Sequence, residues 1–317
     1  MKAIVFDGGL RLEKGYPRPV PGPGEALVKV ALAGVCSTDL EIAKGYMGFK
    51  GVPGHEFTGT IVECDDERLN GKRVAGEINL GCGRCEYCRH MLENHCPSRK
   101  VLGISGKDGA FAEYLTLPFK NIHPLPDSIT DEEAVFTEPL AAAYEILEQV
   151  RVDENTRACV LGDGRLGLLV AEVMAATECS LVVIGRHEEK LQLLKAREIP
   201  ARTSPEGLEK QFDLVIDCTG SEDGLTAALD LVRPTGTVIL KTTLAKRGGA
   251  DLNRVVIDEI TLLGSRCGPF PPALAALEEK RVDVRPLISR VFSLDEGVEA
   301  IGHASGKGVL KVLIRME

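Results

Sequence analysis

Between Ala158 and Gly264, five short apolar runs (Ala158–Leu161, Leu181–Ile184, Leu214–Cys218, Thr237–Leu240 and Ile260–Leu263) alternate with segments of helical periodicity. Runs this short and continuous, separated by helices, suit strands buried on both faces, so the stretch predicts a parallel sheet covered on both sides. Cys159-Val160-Leu161 leads into Gly162-Asp163-Gly164-Arg165-Leu166-Gly167, and Leu168 to Ala176 continues as a helix. A bare G-x-G-x-x-G carries little weight, but strand, turn and helix in this order are the context of a dinucleotide-binding turn. Gly162, Gly164 and Gly167 allow a tight turn and close backbone approach, and the helix N-terminus, with Arg165 and Leu166 in its first turn, faces the pyrophosphate. Asp163 is an acid beside that anion, so its side chain is expected to point away, held by Arg165.

The second strand ends Val183-Ile184-Gly185-Arg186-His187, where an acid would accept both ribose hydroxyls of NAD and repel a 2′-phosphate. Gly185 leaves room and Arg186 offers charge-assisted bonds to that phosphate, so NADP is expected over NAD. Glu188 and Glu189 are the alternative ribose partners, with Arg186 then a solvated loop residue.

Outside this region the organisation changes. Residues 1 to about 125 are punctuated by Gly and Pro, with period-2 stretches at Leu27–Leu32 and Thr58–Val62, and read as β-rich. From Thr130 to Val150 the spacing predicts one helix, opened by a capping box of Thr130 with Glu133. After Pro269-Phe270-Pro271-Pro272 come an amphipathic helix and a closing strand, Val309–Ile314.

Cys82-x2-Cys85-x2-Cys88-x7-Cys96 is the densest chemical signal. Four thiolates satisfy one tetrahedral zinc and leave no open position, so the role is structural. His90 and His95 share the loop and are read as bystanders beside four thiols. The chain has ten cysteines in 317 residues, and without a signal-peptide pattern they suit metal binding in a reducing cytoplasm better than a disulfide framework. A net charge of −9 speaks against nonspecific attraction to nucleic acid or anionic membrane, and the substrate is expected to be small. No apolar run approaches the roughly 20 residues that cross a bilayer.

Two further Gly-rich segments, Gly34-Val35-Cys36-Ser37-Thr38-Asp39 and Gly54-His55-Glu56, place a thiol, an imidazole and carboxylates in β context. With the four-cysteine loop, Glu138-Pro139-Leu140 and the glycine-rich turn in this order, the chain resembles the zinc-dependent medium-chain alcohol or polyol dehydrogenases over essentially its whole length. The resemblance implies an α/β architecture: a GroES-like β-barrel catalytic domain (1–138) carrying the structural zinc loop, a doubly wound Rossmann domain (139–268), and a last segment (269–317) that returns to the catalytic domain. Two zinc ions per chain follow from it. Cys36, His55 and Glu138 would hold the catalytic one, Glu56 would be a transient fourth ligand in place of water, and Asp39 would accept a hydrogen bond from the His55 ring nitrogen turned away from the metal. Asp39 as a plain capping acid is the competing reading.

The implied reaction is reversible oxidation of an alcohol to a carbonyl, with zinc stabilising the alkoxide and hydride passing to the nicotinamide. Thr38 falls where relatives relay the alcohol proton. Glu41 takes the outer relay position that many relatives fill with histidine, leaving the exit route open between this carboxylate and water. Met47 and Phe49, in the short segment between Cys36 and His55, are candidates to line the substrate pocket or simply to pack. Two rival readings are a zinc-free enone or quinone reductase on the same fold, which Cys36, His55 and Glu138 oppose, and a non-catalytic zinc and nucleotide-binding protein. Relatives imply a homodimer or homotetramer.

Overall fold

A computed structural model describes residues 1–242 and 251–316. The chain divides into two compact units, one of Met1–Glu138, Leu274–Glu279 and Val284–Glu317, the other of Pro139–Ala273 and Lys280–Asp283. Arg281 is tied into the second unit by the Arg197 guanidinium donating to its carbonyl and by its own guanidinium reaching the Tyr144 hydroxyl.

The second unit is built on a parallel sheet with strand order Ala201–Arg202, Ser180–Ile184, Arg157–Leu161, Phe212–Asp217, Val232–Leu240, Thr261–Gly264. This 3-2-1-4-5-6 order places a topological switch beside the first strand, where doubly wound sheets bind dinucleotides. The five expected strands are all present. The two-residue edge strand Ala201–Arg202 escaped the sequence reading because it is too short to carry a period. Cys159, Val215, Leu229, Val232 and Val238 pack in the buried core between sheet and helices. Helix Arg165–Ala175 buries Leu168 through Met174, nearly its whole circumference, since it lies on the sheet.

In the first unit the strand Glu25–Gly34 is the hub. It pairs antiparallel with Glu56–Cys64, with Tyr114–Pro118 and with the C-terminal strand Lys311–Arg315, in a sheet that also includes Arg73–Gly76, Ile122–Pro124 and Ile288–Ser293. Gly34 stands opposite Glu56 on one side and Leu313 on the other, so residues distant in sequence meet where the hub strand ends, two residues before Cys36. Ile288–Ser293 runs parallel to Lys311–Arg315 with the helix Gly297–His303 between them. That crossover was not legible in the sequence beyond its closing strand.

The helix expected over Thr130–Val150 is two helices, Asp131–Ala134 and Thr137–Gln149. The capping box forms as expected, Glu133 N–H donating to Thr130 Oγ1 and Thr130 N–H to the Glu133 carboxylate. Pro139 explains the break: it has no N–H to give Val135, so it is tolerated only in the first turn of a new helix. Among the described residues no helix is long and apolar enough to cross a membrane.

Candidate functional site

Cys36 follows the hub strand and precedes the helix Ser37–Ile42; His55 and Glu56 open the neighbouring strand. Ligand atoms of Cys36, His55 and Glu56 lie within 4.8 Å of one another. His55 is 3% exposed and Glu56 1%, yet His55 Nδ1 has no hydrogen-bond partner. That nitrogen is turned toward the Asp39 carboxylate, 3.4 Å from Oδ1, just beyond ordinary hydrogen-bond geometry. Burial works against a charge on His55, but the Asp39 carboxylate and the Cys36 sulfur outweigh it and hold its pKa well above the usual imidazole value. A thiol, an imidazole and a carboxylate brought this close are a donor set suited to zinc.

Asp39 does more than either expected role. Its Oδ2 accepts from Cys36 N–H at 2.8 Å and its Oδ1 from Gly54 N–H at 3.2 Å, tying both ligand-bearing segments together, while His55 Nδ1 stands 3.4 Å from Oδ1. The capping reading is met by the Cys36 N–H bond, and the His55 ring faces the same carboxylate without a hydrogen bond to it. Thr38 Oγ1 lies 3.8 Å from the Cys36 sulfur. Glu41 is engaged instead in a surface ion pair with Lys44 at 2.8 Å. Glu138 sits half-buried in the first turn of Thr137–Gln149 and is not one of the three residues gathered in the cluster. Phe49 is buried against Phe6 and Ile42, a packing role, whereas Met47 is exposed.

Lys311 was missed. It is 2% exposed, its ammonium forms a close ion pair with Glu56 Oε2, and it lies 5.7 Å from the centre of the Phe136 ring. Its signal was present in the sequence as a lone cation inside the apolar strand run Val309–Ile314, which a strand buried at that point tolerates only if the charge is paired.

In the cysteine loop, the four sulfurs of Cys82, Cys85, Cys88 and Cys96 also lie within 4.8 Å of one another. Cys82 N–H points at Cys96 Sγ (3.4 Å) and Cys88 N–H at Cys85 Sγ (3.5 Å). Backbone N–H groups of Arg84 and Cys85 bring the Cys82 thiol down to about 6, whereas burial and the Cys85 sulfur push Cys88 up to about 11. Four sulfurs this close cannot all ionise without a cation among them, which is the charge pattern of a structural zinc site. His90 is exposed and His95 stands beside the Tyr87 ring, neither of them in the cluster.

The glycine-rich turn has the shape of a phosphate cradle. Gly162 has φ +111°, and a Cβ on Gly167 would fall 2.1 Å from the Gly162 carbonyl oxygen, so strand and helix meet as only glycines permit. Gly164 caps Arg165–Ala175 with no side chain on the first-turn N–H groups. Asp163 corrects the sequence reading. It is held not by Arg165 but by Arg186 N–H and His187 N–H, both at 2.6 Å to Oδ2, and by His187 Nδ1 at 3.0 Å to Oδ1. The room expected at Gly185 is taken: a Cβ there would lie 2.5 Å from Asp163 Oδ2.

Two family models match the chain, the alcohol dehydrogenase GroES-like domain over residues 22–127 and the zinc-binding dehydrogenase domain over residues 166–279. The chain is 28% identical to a sorbitol dehydrogenase of Halalkalibacterium halodurans, covering 94% of this chain and 93% of that one. Among solved structures it resembles a zinc-binding dehydrogenase of Sinorhizobium meliloti 1021 bound to NADP (27% identity, TM-score 0.89, 99% of both chains). It likewise resembles the alcohol dehydrogenase rspB of Escherichia coli CFT073 complexed with NADH (28% identity, TM-score 0.90, 100% of this chain and 99% of that one). The matched segments together span more than half of the sequence, one containing both metal clusters and the other the helix that follows the glycine-rich turn: the chain belongs to the zinc-dependent medium-chain alcohol and polyol dehydrogenases.

Proposed function

We propose that the protein reversibly oxidises an alcohol, a secondary alcohol or polyol, to the corresponding carbonyl, with hydride transfer to NAD(P) and NADP preferred. The observation that carries this reading is the cluster of Cys36, His55 and Glu56, whose ligand atoms lie within 4.8 Å of one another. Zinc held there supplies Lewis acidity toward the alcohol oxygen, and the nicotinamide supplies the hydride acceptor. Cys36 and His55 hold the metal, Glu138 completes the set, Asp39 fixes both ligand segments, and the Thr38 hydroxyl takes up the proton of the alcohol. Glu56, anchored through Oε2 by Lys311, would offer its other oxygen as a fourth ligand. Glu41 is left as the outer acceptor of the proton, in exchange with Lys44 and water. The test is a panel of polyols, secondary alcohols and their carbonyls assayed with both cofactors; no turnover of any of them would remove the reading. The sorbitol dehydrogenase relative makes polyols the first compounds to try.

Two zinc ions per chain are proposed, with unequal lability, because four thiolates close one site and the other keeps an exchangeable position. Mild chelation should abolish activity while the melting temperature changes little, and metal analysis should then read one zinc per chain. Cys85→Ser should do the reverse, lowering the melting temperature and solubility. One zinc in fully active protein contradicts the assignment. Ten cysteines without a disulfide suit a reducing, cytoplasmic setting, and assembly as a dimer or tetramer is the expected state on size-exclusion chromatography.

The cofactor preference rests on Arg186, which is exposed and has no ion pair among the described residues. A charge-assisted bond to a 2′-phosphate contributes roughly 1.5 to 3 kcal/mol in good geometry, a preference of about tenfold to a hundredfold in kcat/KM. Arg186→Ala should erase most of it. An unchanged NADP constant in that variant would count against the proposal.

A further inference from the structure

We infer that Asp163 is a specificity-determining residue for the cofactor: from the glycine-rich turn it places at the strand end the negative charge that Gly185 lacks, and it opposes Arg186 in the choice between NADP and NAD. The inference rests on reading this turn as the nucleotide site.

Three observations meet at one place. The oxygen Oδ2, the Cγ and the Cβ of Asp163 all lie within 2.8 Å of the point where a side chain on residue 185 would begin, so its carboxylate occupies the volume an acid there would enter. Its orientation is fixed by two backbone N–H groups, of Arg186 and His187, and by the His187 imidazole, and its side chain is 8% exposed. Third, the two N–H groups it occupies are those the strand end would otherwise present to an incoming anion. Burial alone would discourage its ionisation, but the imidazole and those two N–H groups outweigh burial and keep its pKa below the ordinary carboxylate value.

An ionised carboxylate accepts from vicinal ribose hydroxyls and repels a 2′-phosphate. With Oδ2 engaged by the turn, Oδ1 retains a lone pair beyond its contact with His187. The strand end is therefore not the purely cationic, open phosphate site that Gly185-Arg186-His187 suggests. A fixed anion and an exposed cation flank it, and the preference between cofactors is the balance of the two.

The test is equilibrium binding of NADPH and NADH to the full chain without substrate, followed by fluorescence, for the wild type, Asp163→Asn and Arg186→Ala. Asparagine keeps the acceptor for the two N–H groups and removes the charge. Asp163→Asn should tighten NADPH and weaken NADH, moving the ratio of their Kd values toward NADPH by about tenfold, the order expected for one partly solvated unit charge. Arg186→Ala should move the ratio the opposite way. An unmoved ratio in Asp163→Asn, with both nucleotides weakened alike, would show a mere brace of the turn and overturn the inference. Should the asparagine variant not fold, Asp163→Ser is read by the same ratio; failure of both to fold assigns a structural role only and also overturns it. Binding of neither nucleotide by the wild type would overturn the nucleotide reading itself, a result distinct from an unmoved ratio.

Discussion

Cys36→Ser is expected to lower kcat by about a thousandfold, the equivalent of roughly 4 kcal/mol of transition-state stabilisation, while leaving a folded protein. A serine hydroxyl is a poor zinc ligand at neutral pH because it stays protonated, so the metal is lost or misplaced. The fold should survive: Cys36 is only partly buried, and the contact organising its turn, Cys36 N–H to Asp39, comes from the backbone. Steady-state kinetics with zinc content and a melting curve decide the matter. Wild-type kcat in this variant would mean that the reaction happens elsewhere. A loss of kcat accompanied by a collapsed melting curve would instead show that the sulfur serves the fold.

Lys311→Met is the largest stability effect expected. Lys311 and Glu56 are both almost fully buried, and they are paired to each other. Removing one partner of such a pair leaves the other charge without compensation, at a cost of about 3 to 5 kcal/mol, whereas replacing both with neutral groups of similar shape is close to neutral. Methionine preserves the length of the chain against Phe136, so packing loss is small. Urea unfolding should place Lys311→Met roughly 3 kcal/mol or more below the wild type, with Glu56→Gln/Lys311→Met recovering most of the difference. A single variant within about 1 kcal/mol of the wild type would show that the pair contributes little. Because Glu56 belongs to the metal cluster, loss of the neighbouring ammonium should also tighten zinc at that site, which metal analysis after dialysis would reveal.

How much of this was readable in the chain depends on the range of the interaction concerned. The doubly wound sheet was legible because each strand and helix writes its own period into five or ten consecutive residues, and the cysteine loop because all four sulfurs fall within one short segment. The capping box of Thr130 with Glu133 is equally local. The break before Thr137 was present in the sequence as Pro139 and was overlooked because the apolar spacing runs through it.

Contacts across the sheet are of another kind. Lys311 meets Glu56 only because the C-terminal strand pairs with the hub strand, which pairs in turn with Glu56–Cys64, and no periodicity in either segment encodes that register. The same holds at the nucleotide turn. Gly185 read as open space and Asp163 as an acid turned aside, yet parallel pairing of Arg157–Leu161 with Ser180–Ile184 brings the two strand ends together and puts the carboxylate in that space. Residue types and local spacing thus sufficed for the parallel sheet, the four-cysteine cluster and the cradle, whereas Cys36 and His55 came together only through the family resemblance and Glu56 joined them in the folded sheet. Which buried charges face each other, and therefore what a substitution costs, was decided by strand register, a property of the folded sheet in which residues as far apart in sequence as Glu56 and Lys311 share one dielectric environment.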